Sequence, residues 1–318
     1  MGLKATIPES KIKAARSILK SCILCGHKCR VDRTKGETGV CGAGNKIKIA
    51  SFTAHHGEEP FISGSRGSGA IFFSNCNLRC VFCQNWEISQ PNDGKNIVGA
   101  DCNPPLHEIM LYLQNQGCHN INLVSPTHFM PQILEEMRIA FKQGFDLPIV
   151  YNTNGFDSVE LLELLDKVID IYMPDIKYFD DNNAKKYSNA SSYFATVKPG
   201  IREMFRQVGN LVLDGDEIAR SGLLARHLVL PGLKDESKKI LKYLAGISKD
   251  MWISIMSQYN PLHNAKNFPE INRKLTKEEY FEVIGYAQEL GLENYLIQET
   301  SSADTYLPDF SKKEPFKT

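Results

Sequence analysis

The stretch AIFFSNCNLRCVFC, residues 70–83, runs a short apolar strand into three cysteines within eight residues. Cys76, Cys80 and Cys83, separated by three and then two residues, can all turn inward from one loop onto a single inorganic centre. Three thiolates are too few for a closed tetrahedral zinc site, which takes four ligands. A 4Fe-4S cube also normally takes four cysteines, so three leave one iron open to bind and activate a small molecule. The spacing points to a reactive cluster at the end of a strand.

Working outward, the chain repeats one pattern. The strand-like runs AIFFS, NINLVS, LPIVYNTN, IDIYMPDIK, LLARHLVLP and MWISIMS alternate with amphipathic helical stretches, and NYLIQE offers a seventh strand. NPPLHEIMLYLQNQG carries Asn103 as a cap, prolines at the first turn and Gly117 as a stop, and Thr276 with Glu279 forms a capping box. Strands alternating with helices mean βαβ units on a parallel sheet. The expected fold is α/β, an incomplete (β/α)6-type parallel barrel with an N-terminal Cys-rich metal-binding segment; a doubly wound open sheet is the alternative. No Gly-rich phosphate or dinucleotide fingerprint follows the first strand, where the cysteine loop sits instead. Barrels gather functional groups at the carboxyl ends of their strands, which is where this loop falls.

Ahead of the barrel, a short helical pattern over residues 12–19 precedes CILCGHKCRVDRTKGETGVCGAG. Cys22, Cys25, Cys29 and Cys41 supply four thiolates, suiting either a closed zinc site or a second, fully ligated iron-sulfur cluster, and His27 is a substitute ligand. The division expected is residues 1–66 as an N-terminal helix and Cys-rich segment, 67–300 as the barrel and 301–318 as a C-terminal tail.

Composition sets limits. Among 318 residues, Lys+Arg and Asp+Glu both number 37, so no basic field exists to gather nucleic acid or anionic lipid. No apolar run approaches the roughly 18 residues of a membrane span, and the expected location is cytoplasmic. The opening MGLKAT matches a myristoylation pattern, but no polybasic or palmitoylatable second anchor lies beside it. Nine cysteines, seven of them in two clusters, fit metal ligation in a reducing compartment better than a disulfide framework, and Cys102 and Cys118 are expected as packed thiols.

Several polar residues fall on barrel strands. Strand periodicity puts Met173, Asp175 and Lys177 on one side of YMPDIKY, and Asn152 and Asn154 on one face of YNTNG with Thr153 on the other. Arg226 interrupts apolar neighbours and needs an anion or several acceptors, whereas His227 faces the other way as a packed residue. Tyr259 is either a substrate-side residue or part of the core.

The cysteine motif, with Phe82 before its last member, resembles the signature of the radical S-adenosylmethionine superfamily. Within it, GEEPFISG, FFSNCNLRCVFCQNWEIS, SPTH, YNTNG, YMPDIKY, RHLVLPG and SQYNP look like pyruvate formate-lyase activating enzyme-like proteins. The resemblance implies that Cys76, Cys80 and Cys83 hold a 4Fe-4S cluster whose open iron chelates S-adenosylmethionine, and that one-electron reduction yields a 5'-deoxyadenosyl radical. It makes Lys177 a ligand for the cofactor carboxylate, and Asp175, Asn152, Asn154 and Arg226 further cofactor-binding residues. It also implies an electron donor such as flavodoxin or ferredoxin, and a protein partner on which a glycyl radical is installed. Modification of another peptide or of a small molecule is the alternative, and a non-enzymatic iron-sulfur electron carrier a third reading. One departure stands out: related activases carry Gly-Gly-Glu after the second strand, where this chain reads LVSPTHF, so Ser125, Thr127 and His128 are the expected substitutes.

Overall fold

Ser68–Phe73 is buried along its whole length, as a strand must be when both faces of a parallel sheet are covered. The computed structural model describes residues 4–90, 100–101, 104–299, 308–310 and 316; Cys102, Asn103, the first three residues and most of the 301–318 tail lie outside them. Ten strands are formed among the described residues: β1 (Lys48–His55), β2 (Ser68–Phe73), β3 (Ala100–Asp101), β4 (Ile121–Val124), β5 (Ile149–Thr153), β6 (Ile171–Pro174), β7 (Val212–Leu213), β8 (Ala219–Leu228), β9 (Trp252–Met256) and β10 (Tyr295–Ile297).

The six expected strands become β2, β4, β5, β6, β8 and β9, paired in parallel in that order, and NYLIQE adds β10 as a seventh beside β9. Antiparallel β1 and then β3 extend the β2 edge, and β7 forms a short antiparallel pair with β8. The path runs from β10 to β3 without closing, so the fold is an incomplete barrel.

Helices cover the outer face for the usual reason, a single apolar stripe. Leu106–Asn115 buries Leu106, Ile109, Met110 and Leu113, spaced one helical turn apart, and Lys277–Glu289 starts at the Thr276/Glu279 capping box. Its principal core lies between these helices and the sheet, and a smaller one fills the barrel interior with Ile62, Val150, Ile171, Met173, Leu211, Ala219 and Leu224.

That inner plug explains where the site lies. Side chains two apart along a strand share a face. Val150 is therefore followed inward by Asn152, Ile171 and Met173 by Asp175, and Leu224 by Arg226. The inner face is apolar low in the barrel and polar toward the carboxyl ends of the strands.

The front segment docks on that same end. Its helix Glu9–Ile18 lies against Met130–Lys142, and Arg16 pairs with Glu135. Gly26 N–H donates to the Phe156 carbonyl at 3.1 Å, just past β5.

Candidate radical site

Each parallel strand from β2 to β9 delivers a side chain to one cavity of about 250 Å³ at the carboxyl ends. After β2 come Cys76, Cys80 and Cys83; after β4, Ser125; from β5, Asn152 and Asn154; after β6, Asp175 and Lys177; from β8, Arg226; and after β9, Gln258. His55, at the end of β1, and Glu58, from the segment between β1 and β2, also reach it. A second, larger cavity, about 530 Å³, opens at the opposite end of the strands beside Arg66 and His119, away from the cysteines.

The donor set suits a cluster. The three sulfurs already collect hydrogen bonds: Cys76 Sγ accepts from Leu78 N–H and from Asn154 Nδ2, each at 3.4 Å, and Cys80 Sγ accepts from the Ser188 hydroxyl at 3.0 Å. Cys83 Sγ lies 3.3 Å from Ser89 Oγ. Burial pushes the Cys80 thiol up to about 12, against the pull of the nearby Lys177 charge, so this sulfur becomes a thiolate when a metal centre takes the place of its proton. Among the described residues no three His, Cys, Asp or Glu side chains are disposed around a single metal ion.

Opposite the cysteines stands a buried charge network. Arg226 Nε donates to Asp175 Oδ1 at 2.8 Å, its Nη2 to Asn152 Oδ1 at 2.7 Å and its Nη1 to Glu58 Oε2 at 3.2 Å; Glu59 lies 3.7 Å from Nη1. Lys177 Nζ donates to Asp175 Oδ2 at 2.7 Å. Burial alone would raise the Asp175 pKa, but the Arg226 and Lys177 charges outweigh it and hold this carboxyl below its usual range. Glu58 ends differently. Burial, with Glu59 and Asp175 close by, pushes it up to about 7 despite the attraction of Arg226.

The polar residues expected on barrel strands, Asn152, Asn154, Asp175, Lys177 and Arg226, meet in this cavity. His227 turns away as expected and is held between the Ile176 carbonyl at 2.6 Å and Ser237 Oγ at 2.8 Å. Tyr259 belongs to the core: it is 1% exposed and its hydroxyl donates to the Ile271 carbonyl. Cys118 is likewise a packed, buried thiol.

Of the expected substitutes for Gly-Gly-Glu, only Ser125 lines the cavity. Ser125 takes a left-handed φ of 56° and the chain enters a 3-10 turn, Thr127–Phe129, which carries the next two residues elsewhere. Thr127 donates to Asp157 at 2.8 Å, and His128 Nε2 donates to the Ser74 carbonyl at 2.8 Å. Sequence reasoning missed Glu58, although the paired acids of GEEPF beside an apolar run were a usable signal.

An unclosed parallel barrel with three cysteines in the loop after its first parallel strand defines an iron-sulfur radical enzyme architecture. The chain belongs to the Radical SAM superfamily, whose family model matches residues 70–244. It is 30% identical over 296 residues to an uncharacterized protein of Methanocaldococcus jannaschii, covering 92% of this chain and 81% of that one. It is 25% identical over 182 residues to the pyruvate formate-lyase-activating enzyme of Clostridium pasteurianum, covering 57% of this chain and 69% of the relative. Among solved structures, Streptococcus suis SuiB bound to precursor peptide SuiA superposes with a TM-score of 0.50 at 13% identity. That match covers 75% of this chain and half of SuiB, and speaks to the fold alone. Membership brings a 4Fe-4S cluster and S-adenosylmethionine as cofactors.

Among the described residues no helix is long and apolar enough to cross a membrane.

Proposed function

We propose that this radical SAM enzyme abstracts hydrogen from the backbone of a protein partner, with a glycyl radical as the product, and that Cys76, Cys80 and Cys83 hold its cluster. The observation that carries the site assignment is the convergence of these cysteines with Asn154, Asp175 and Lys177 on one cavity. When bound, the reduced cluster supplies one-electron cleavage of S-adenosylmethionine to a 5'-deoxyadenosyl radical.

The chain's own residues bind, orient and shield. Lys177 spends one of its three N–H donors on Asp175 and keeps the others for the cofactor carboxylate. Glu58 meets the cofactor ammonium in place of the absent Gly-Gly-Glu acid. Arg226, already engaged with three acceptors, acts as a positioning residue for Asp175, Asn152 and Glu58. Asn154 donates to both Cys76 Sγ and Asn77 Oδ1, so it joins the cysteine loop to the cofactor side of the cavity.

Two observations favour a macromolecular substrate. Among the described residues the sheet path ends at β10 on one side and β3 on the other without closing, an open side that suits an extended backbone. One relative is a pyruvate formate-lyase-activating enzyme. Glycine suits such a target, since without a side chain its Cα approaches a radical carbon closely. The test mixes the reconstituted, reduced protein and S-adenosylmethionine with glycyl-radical enzymes encoded near it. A doublet electron paramagnetic resonance signal is expected; no signal, with stoichiometric 5'-deoxyadenosine formed against another peptide or a small molecule, replaces the glycyl reading.

A further inference from the structure

A further cavity, much smaller and more closed, lies in the front segment against the barrel. Cys22, Cys25, Cys29 and Cys41 line it together with Arg33 and His128, and its free volume is about 10 Å³, the space of about one water.

The two nitrogen-bearing walls are unusual. Arg33 is 1% exposed; its Nη1 donates to the His128 carbonyl at 2.6 Å and its Nη2 to the Gly44 carbonyl, while Nε has no partner. Among the described residues no carboxylate pairs with this guanidinium. His128, 3% exposed, donates from Nε2 to the Ser74 carbonyl and leaves Nδ1 buried without a partner. A dehydrated guanidinium with two carbonyls and no anion is costly, so the missing counter-charge has to come from the cavity itself. Four neutral thiols cannot supply it. Four thiolates around a metal centre can, because they more than offset the charge of either a zinc ion or a four-iron cube.

Both candidates are closed by the same four thiolates, so neither leaves an open position for S-adenosylmethionine. We infer that Cys22, Cys25, Cys29 and Cys41 hold a fully ligated metal centre, with Arg33 as its buried counter-charge. Ala43 N–H already donates to Cys41 Sγ at 3.5 Å, and the Arg33 charge acts on the same sulfur. The second centre abuts the first loop, since Asn75 Nδ2 donates to the Cys41 carbonyl at 2.9 Å, one residue before Cys76.

The test reconstitutes the full chain anaerobically with iron and sulfide in the presence of zinc, then measures iron, sulfide and zinc per chain. The Cys76→Ala/Cys80→Ala/Cys83→Ala variant is expected to keep about four irons or about one zinc, and Cys25→Ser/Cys41→Ser to lose that same metal from the full chain's content. About four irons and no zinc in the full chain overturns the proposal, and either variant suffices should the other fail to fold. In the variant lacking the barrel cysteines, Arg33→Met should give up its metal to a chelator several-fold faster, with Arg33→Lys restoring retention. Unchanged retention in Arg33→Met removes Arg33 from the counter-charge role.

Discussion

Lys177 and Asp175, two residues apart past the end of β6, form an ion pair of 2.7 Å whose members are each only 15% exposed at the side chain. Burial by itself would lower the Lys177 pKa, yet Asp175 and the nearby Cys80 sulfur raise it, so the ammonium stays charged inside the cavity. Replacing it with Met removes a charge-assisted hydrogen bond worth about 1.5–3 kcal/mol. Lys177→Met should therefore bind S-adenosylmethionine roughly ten- to a hundred-fold more weakly, with the cluster spectrum unchanged. Calorimetry on the reconstituted protein measures this, and unaltered affinity would place Lys177 outside the binding site.

Cys80→Ala removes one of three thiolates, the one that accepts a hydrogen bond from Ser188. Two thiolates do not hold a four-iron cube against loss, so 5'-deoxyadenosine formation from S-adenosylmethionine should vanish. Full cleavage by the variant would assign the cluster elsewhere.

Asp157 is fully buried and takes three hydroxyl donors, from Tyr151 at 2.7 Å, Thr127 at 2.8 Å and Thr153 at 2.5 Å. Asp157→Ala strands those hydroxyls and should cost on the order of 3 kcal/mol in chemical denaturation. Asp157→Asn keeps an acceptor at the centre and should cost clearly less. Equal losses would show that packing alone matters there.

Gly155 leaves β5 at φ +79°, and a Cβ on it would sit 2.7 Å from the Asp175 carbonyl oxygen. Gly155→Ala forces either the β5 exit or the Asp175 backbone to move. A loss of at least about 1 kcal/mol is expected, together with weaker cofactor binding, because Asn154 and Asp175 flank the shift.

How far the sequence reaches is visible in these residues. Local rules delivered the parallel strands, since burial on both faces writes continuous apolar runs such as AIFFS, and strand periodicity put Asn152 with Asn154 and Asp175 with Met173 and Lys177 on shared faces. It could not show that Arg226 meets Glu58, which lies 168 residues away. Nor could it follow Thr127 and His128 away from the cavity, because their departure depends on one left-handed residue, Ser125, that carries no glycine to announce it. The front cysteines show the same limit: four thiolates are written in the sequence, while the buried, unpaired Arg33 Nε beside their cavity is not.

Glu58 offers a pH test of the cofactor side of the cavity. Its pKa is pushed from 4.5 up to about 7, chiefly by burial, so between those values the folded protein binds a proton that the unfolded chain releases. The sign follows: this group's contribution to stability falls as pH rises from about 4.5 to about 7, and it falls no further above that window. Cofactor binding should run the other way. An ammonium brought beside Glu58 favours the carboxylate, so S-adenosylmethionine affinity should increase as pH rises through about 7. Glu58→Gln keeps the shape and an acceptor for Asn122 but cannot ionise, so its affinity should be lower at high pH and nearly flat across the same range. Titrations at several pH values, with the iron content checked at each, measure both chains. A wild-type profile as flat as that of Glu58→Gln would remove Glu58 from the ammonium site and leave it as a structural partner of Arg226.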